Sequence, residues 1–371
     1  MAGIYVHIPF CRSRCIYCDF YSTTREEEKE AYVRALCKEI AARRHELQGE
    51  RVRTIYIGGG TPSLLSTREL GKILDCIHEH FVVEAGAEVT MEMNPDDVGK
   101  RELNNGVNRI SLGIQTFDDG LLRLLRRRHD SAEAVQAVKT LQEAGIGNIS
   151  IDLIYGLPGQ TKAQWEADLQ LAFSLGIQHL SAYSLSYEEG TLLSRWRQEG
   201  RVTEVTDELS VEMYQRLCLR AAEAGFEHYE ISNFALPGYA SRHNSNYWTG
   251  EAYLGFGPGA HSYDGRRTRR ANRADLSAYM AEETMDSCAI SEELTDDELF
   301  DEAVMCGLRT RRGINMESIG QRFGQTRLEG LLRMARPHLQ ASRLVIEDGH
   351  LHLTQQSLMT SDDIMSDLMA V

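Results

Sequence analysis

Short runs rich in aliphatic and β-branched residues recur through the first half of the chain, each parted from the next by a longer amphipathic stretch. Residues 4–8, 54–57, 88–92, 109–112, 148–154 and 179–184 read as strands, and residues 26–47, 67–81, 131–144 and 162–174 read as helices. Parallel strands must be joined by crossovers of this kind, so the alternation implies βα units and a mainly parallel sheet. Six such steps by residue 185 suggest an open or partial (β/α)6 barrel, with its site at the carboxyl ends of the strands. The segments directly after the candidate strands carry the residues that chemistry would use. They are Cys11 to Cys18, Gly58 to Thr61, Asn94-Pro95, Gln115 and Gly156 to Gly159.

After residue 185 the rhythm changes. Residues 204–224 read as a helix and 227–231 as a strand, followed by the Gly- and aromatic-rich stretch 239–263. A boundary is expected near residue 290. Beyond it, 294–309, 316–323 and 328–339 read as helices and 344–353 as a hairpin turning at Asp348-Gly349, together a winged-helix-like module. The expected domains are therefore 1–185, a partial barrel, 186–290, an extension of it, and 291–371, a small, mainly helical C-terminal domain. The stretch 95–108 is too short for a full crossover helix.

The net charge of −15 disfavours nucleic acid, and the densest basic patch, Arg126, Arg127 and Arg128, is a thin footprint. No apolar run reaches the ~20 residues of a membrane span and the amino terminus lacks a signal-peptide pattern, so a cytoplasmic protein is expected. In a reducing compartment the cysteines read as ligands plus core thiols, with Cys37, Cys76, Cys218, Cys288 and Cys306 taken as packing residues.

Cys11, Cys15 and Cys18 have the spacing C-x3-C-x2-C. Three thiolates on a 4Fe-4S cube leave one iron open, as a reactive centre requires. Zinc is the alternative, but no fourth Cys or His stands nearby at zinc spacing; His7 lies in a candidate strand. The segment from Tyr5 through Cys11, Cys15, Tyr17 and Cys18 to Phe20 resembles the HemN/HemW branch of the radical S-adenosylmethionine (SAM) superfamily, which includes oxygen-independent coproporphyrinogen III oxidase. The resemblance covers nearly the whole chain. It implies a 4Fe-4S cluster whose open iron chelates the amino and carboxylate groups of SAM.

The same resemblance implies SAM contacts for Tyr5, Tyr17, Gly59, Gly60, Thr61, Glu92, Gln115, Arg127 and Asp152. Consecutive glycines allow close backbone approach, and an Asp on a barrel strand suits ribose hydroxyls. Arg126 and Arg128 offer alternative registers for Arg127. Two functions compete within the branch. One is a coproporphyrinogen III dehydrogenase; the other is a haem chaperone that binds haem and passes it to acceptor haem proteins such as respiratory cytochromes. The dehydrogenase pattern has a further cysteine where Phe20 stands, and a long extension where only ten residues precede Cys11. His243, Asn244, Tyr247 and Trp248 fit the H-N-x-x-Y-W motif associated with haem in chaperones of this branch, an imidazole being a standard axial ligand and the aromatics flat faces for a porphyrin. His261 is a second candidate ligand. These features favour the chaperone, without nucleic acid or membrane span, and leave a homodimer and a peripheral membrane contact open.

Overall fold

The computed structural model of the chain describes residues 2–100, 106–281 and 289–369. Six parallel strands form its centre: β1 (Ala2–Ile8), β2 (Val52–Gly59), β3 (Val83–Met93), β4 (Arg109–Gln115), β5 (Ile149–Tyr155) and β6 (His179–Ser184). They lie side by side in chain order, the arrangement of successive crossovers in one direction. The crossovers hold α1 (Lys29–Ala42), α2 (Thr67–His80), α3 (Asp119–Leu124), α4 (Ser131–Glu143) and α5 (Lys162–Ser174). Between β3 and β4 a single 3-10 turn, Pro95–Asp97, is the only helical element among the described residues, and positions 101–105 lie outside them. Three crossover helices start on capping boxes, Ser66 with Glu69, Asp130 with Glu133 and Thr161 with Gln164. Each satisfies two otherwise orphaned backbone groups and fixes where the helix begins.

The sheet is larger than the six expected strands. After α6 (Leu192–Gln198) and α7 (Asp207–Glu223), β8 (Asn233–Ala235) pairs antiparallel with β6, and β7 (Glu227–Glu230) pairs antiparallel with β8 at the sheet edge. After α8 (Arg242–Thr249), β9 (Ala252–Phe256) pairs parallel to β1 on the opposite edge, extended by β10 (His261–Tyr263) and β11 (Thr268–Asn272). Beyond α9 (Leu276–Ala281), β12 (Ala289–Glu293) completes a 12-stranded sheet. Short strands of two-sided polarity such as His261–Tyr263 carry little periodic signal, which is why their pairing was not legible beforehand.

The remainder contains α10 (Asp296–Leu308), β13 (Ile314–Asn315), α11 (Met316–Phe323), α12 (Gln325–Gln340), β14 (Leu344–Glu347), β15 (His350–Leu353) and α13 (Ser361–Leu368). It has its own three-stranded sheet and a separate apolar core around Phe300, Val304, Leu331 and Ile364. Asp348 (φ 47°) and Gly349 (φ 76°) make the expected two-residue hairpin turn with both residues left-handed.

Strand alternation decides where the main core sits. On β4, Ile110, Leu112 and Ile114 join the core shared with Ile151 and Leu153 of β5 and with Ala134, Val138 and Leu141 of α4. The opposite face of the same strands presents Tyr56, Thr90, Glu92, Arg109, Ser111, Asp152 and Ser181. A parallel sheet buried on both faces would be apolar throughout. Here the helix-covered face is apolar and the inner face is polar, so the interior is a ligand chamber.

The isolated cysteines are not equivalent. Cys218 is buried and Cys306 half-buried, as packing residues are, and Cys288 lies outside the described residues. Cys37 and Cys76, distant in sequence, meet across α1 and α2, the Cys76 thiol donating to the Cys37 carbonyl at 3.5 Å.

Candidate functional site

The loop after β1 brings Cys11, Cys15 and Cys18 onto one wall of a cavity of about 480 Å3, which also reaches the loops after β2, β3, β4 and β6. Among the described residues no three ligand-type side chains converge as a single bound ion requires. Three sulfurs spread along a wall suit a cluster, whose irons occupy separate corners. Burial pushes the Cys11 thiol up and the Cys18 thiol up to about 11, so these thiols give up protons only as metal binds. Thr61 donates to Cys11 Sγ at 3.5 Å and Arg127 to Cys15 Sγ at 3.4 Å, contacts that would tune a bound cluster.

The glycine run is needed by the protein itself. A Cβ on Gly60 would stand 2.7 Å from the Phe10 carbonyl and 3.1 Å from Cys11 Sγ. One on Gly59, at φ 104°, would meet the His7 ring at 2.6 Å. The run therefore lets the β2 loop lie directly against the cysteine loop, and with Thr61 it forms the adjoining cavity wall.

Glu92 accepts hydrogen bonds from the Tyr56 hydroxyl (2.8 Å) and the Gly59 amide (3.1 Å), while burial lifts its carboxyl to about 7. Asp152 is raised by burial and opposed by the hydroxyls of Ser181 and Ser111, the latter donating at 3.1 Å. Gln115 adopts φ 73° where the β4–β5 register shifts, a backbone cost that concentrates at ligand sites. The three arginines diverge because Arg126 itself is left-handed at φ 58°. Its guanidinium stacks 5.5 Å from the Trp196 ring centre, and Arg128 pairs with Asp96 at 2.8 Å. Arg127 alone turns to the cysteines, and it also donates to Asn94 at 2.6 Å and to the Gly113 carbonyl.

The H-N-x-x-Y-W segment forms α8, which lies against the amino ends of β1 and β2, the end opposite the cysteines. Glu88 accepts from the backbone amides of Arg242 and His243 at the helix start. His243 is buried, its Nδ1 bonded to Thr54 Oγ1 (2.9 Å), its Nε2 to the Tyr247 hydroxyl (2.9 Å), its ring stacked on Tyr56. Burial holds it down to about 3, so the imidazole stays neutral, the ligating form. Asn244 lines the cavity, whereas Trp248 faces away beneath the Arg309 guanidinium (5.2 Å) and His261 is exposed on β10.

Residues 5–172 match the radical SAM superfamily and residues 294–359 the HemN C-terminal domain. Coproporphyrinogen III oxidase (HemN) from Escherichia coli shares the fold, with a TM-score of 0.85 over 100% of this chain and 90% of that one at 22% identity. The haem chaperone HemW of Synechocystis is 39% identical across 84% of this chain and 78% of its own. That of Bacillus subtilis is 34% identical across 98% of each chain. The mitochondrial radical S-adenosyl methionine domain-containing protein 1 of Danio rerio is 31% identical across 98% of this chain and 86% of its own.

The chain belongs to the HemW family of radical SAM proteins. In this HemW-family chain the cavity gathers Cys11, Cys15, Cys18, Tyr17, Gly59, Gly60, Thr61, Glu92, Gln115, Arg127, Asp152 and Asn244. Tyr5 stands behind that wall, stacked on Tyr56, and His243, Tyr247, Trp248 and His261 do not line it. Loop-by-loop reading of a HemW-family sequence passes over the strand residues Tyr56, Arg109, Ser111, Ser181 and Tyr183, which also line it. Their signal was present as polar residues at every second position of otherwise apolar strands. No helix among the described residues is long and apolar enough to cross a membrane.

Proposed function

We propose that this protein is a haem chaperone: it binds haem and a SAM-ligated 4Fe-4S cluster and delivers haem to acceptor haem proteins. The observation that carries this reading is similarity to curated HemW haem chaperones along nearly the whole chain, 98% of both proteins for the Bacillus subtilis relative. Cys11, Cys15 and Cys18 would hold the cluster, which when bound offers one open iron to SAM and an electron source for its cleavage. Glu92, Gln115, Arg127 and Asp152 are the polar groups placed to orient SAM, with Gly59, Gly60 and Thr61 forming the adjoining wall and Tyr17 lining the same cavity. Tyr5 acts from behind them by bracing Tyr56 and by its hydroxyl contact with His7 Nδ1 at 3.0 Å. Within this reading, residues 1–185 form the cofactor barrel, 186–290 its extension bearing α8, and 291–371 the C-terminal domain that docks acceptors.

His243 is the proposed axial ligand, with Asn244, Tyr247 and Trp248 around it. Its Nδ1 is held by Thr54, so ligation through Nε2 requires the Tyr247 hydroxyl to leave. Haem titration followed by the Soret band tests this. His243→Ala should weaken binding at least tenfold, whereas Tyr247→Phe, which frees Nε2, should bind haem as tightly as wild type or more so. Unchanged binding by His243→Ala would remove His243 from the site. Coproporphyrinogen III, offered to the cluster-loaded protein with SAM and reductant, should not be decarboxylated; turnover would replace the chaperone by the dehydrogenase.

A further inference from the structure

The inner wall of the chamber carries a positive charge that the chain leaves without a hydrogen-bonded partner. Arg109 on β4 is 1% exposed and lines the cavity. Among the described residues its guanidinium forms no hydrogen bond or ion pair, and its Nε is sealed from solvent. Beside it in register, Thr90 on β3 leaves its hydroxyl oxygen buried and equally unpaired. The carboxylates of the flanking strands are already engaged: Glu92 accepts from Tyr56 and Gly59, and Asp152 accepts from Ser111. Arg109 lies within electrostatic range of Glu92, Asp152 and the α8 residue His243 and lowers each through its charge, without a hydrogen bond to any of them.

A buried guanidinium whose N–H groups find no acceptor opposes folding even with carboxylates in electrostatic range, and such conflicts are characteristically kept where a ligand resolves them. The planar fork of arginine matches a carboxylate in a two-bond pair. We infer that this part of the chamber is a carboxylate-binding subsite, with Arg109 receiving the ligand's carboxylate. Two sources share that chemistry, a haem propionate and a small free carboxylic acid. The haem source rests on the chaperone reading; the small-acid source does not. A cavity of about 480 Å3 accommodates a propionate arm or a small acid without rearrangement of the barrel.

Wild type, Arg109→Met and Arg109→Lys are compared in two measurements. In the first, the ligand-free melting temperature of Arg109→Met should equal or exceed that of wild type, because a buried guanidinium without hydrogen-bond acceptors has been removed. A fall of several degrees, or loss of a cooperative melt, would mark a structural arginine and overturn the subsite. In the second, each variant is titrated with haem and haem dimethyl ester, and heated with succinate and with succinamide. Wild type should prefer the acid of at least one pair by about tenfold or more. Arg109→Met should lose that preference, and Arg109→Lys, with charge but no fork, should keep part of it. Preference for haem identifies the propionate, and preference for succinate identifies a small acid. No acid preference in wild type, or one that survives in Arg109→Met, overturns the inference. Absence of any haem binding by wild type defeats the chaperone reading alone, since the succinate pair still decides the subsite.

Discussion

Glu92 shows how one buried carboxyl ties the chamber to pH. In the folded protein it titrates at about 7, above its ordinary 4.5, chiefly because burial disfavours the carboxylate. Between those values the folded state holds a proton that the unfolded state has released, so stability falls as pH rises through that window. The full effect is roughly 3 kcal/mol. Glu92→Gln carries no such charge, so denaturant unfolding of ligand-free protein should show the variant gaining on wild type between pH 4.5 and pH 7.5. A stability difference that stays constant with pH would refute the assignment. His243 has the opposite sensitivity to charge: held down to about 3, it remains neutral throughout this range. Neither shift was legible in the sequence, because both come from burial among residues distant in the chain, and for Glu92 the Tyr56 hydroxyl bond works against the rise.

At the level of elements, the contact between two loops governs the cysteine wall. The β1 loop and the β2 glycine run touch so closely that Gly60 has space for a hydrogen and nothing larger. Gly60→Ala would set a methyl 2.8 Å from the Ile8 carbonyl and 3.1 Å from Cys11 Sγ. The expected cost is about 1–3 kcal/mol of overpacking strain. Because the strain is placed on a cluster ligand, reconstituted iron should fall far below four per chain while the cooperative melt persists. Full iron loading would show that the loops part easily. Both loops, and the capping boxes that begin the helices after them, could be read from local sequence, since each depends on residues only a few positions apart. Of the added strands only β7 was legible, as the strand expected over 227–231; β8 to β12, and where all six join the sheet, were not, since their partners are set by tertiary pairing.

For the whole molecule, one buried ion pair fastens the added edge of the sheet to the barrel. Glu39 and Arg43 on α1 pair at 2.8 Å, both nearly inaccessible. Glu39 also accepts from the Gly257 amide, Asn272 Nδ2 and the Tyr279 hydroxyl, while Arg43 donates to the Gly255 carbonyl and Ser262. Glu39→Ala leaves the buried Gly257 amide and Tyr279 hydroxyl without an acceptor and Arg43 with Glu46 as its remaining carboxylate partner, and should cost about 2–4 kcal/mol. Glu30→Ala, which breaks the exposed pair with Arg34, should cost under about 1 kcal/mol. Limited proteolysis of Glu39→Ala should cut first within 255–281; cutting first elsewhere would contradict the fastening role.

The chain's local chemistry alone determined the six parallel strands, the helices between them, the terminal hairpin and the cysteine triplet. Each is written in spacing, capping or turn residues within one short window. Only the tertiary structure decided which arginine of three faces the cysteines, that α8 lies at the opposite end of the strands, and that Arg109 is left without a hydrogen bond. Those outcomes depend on which strand lies beside which and on what each side chain then finds within reach, and such neighbours are far apart in the chain.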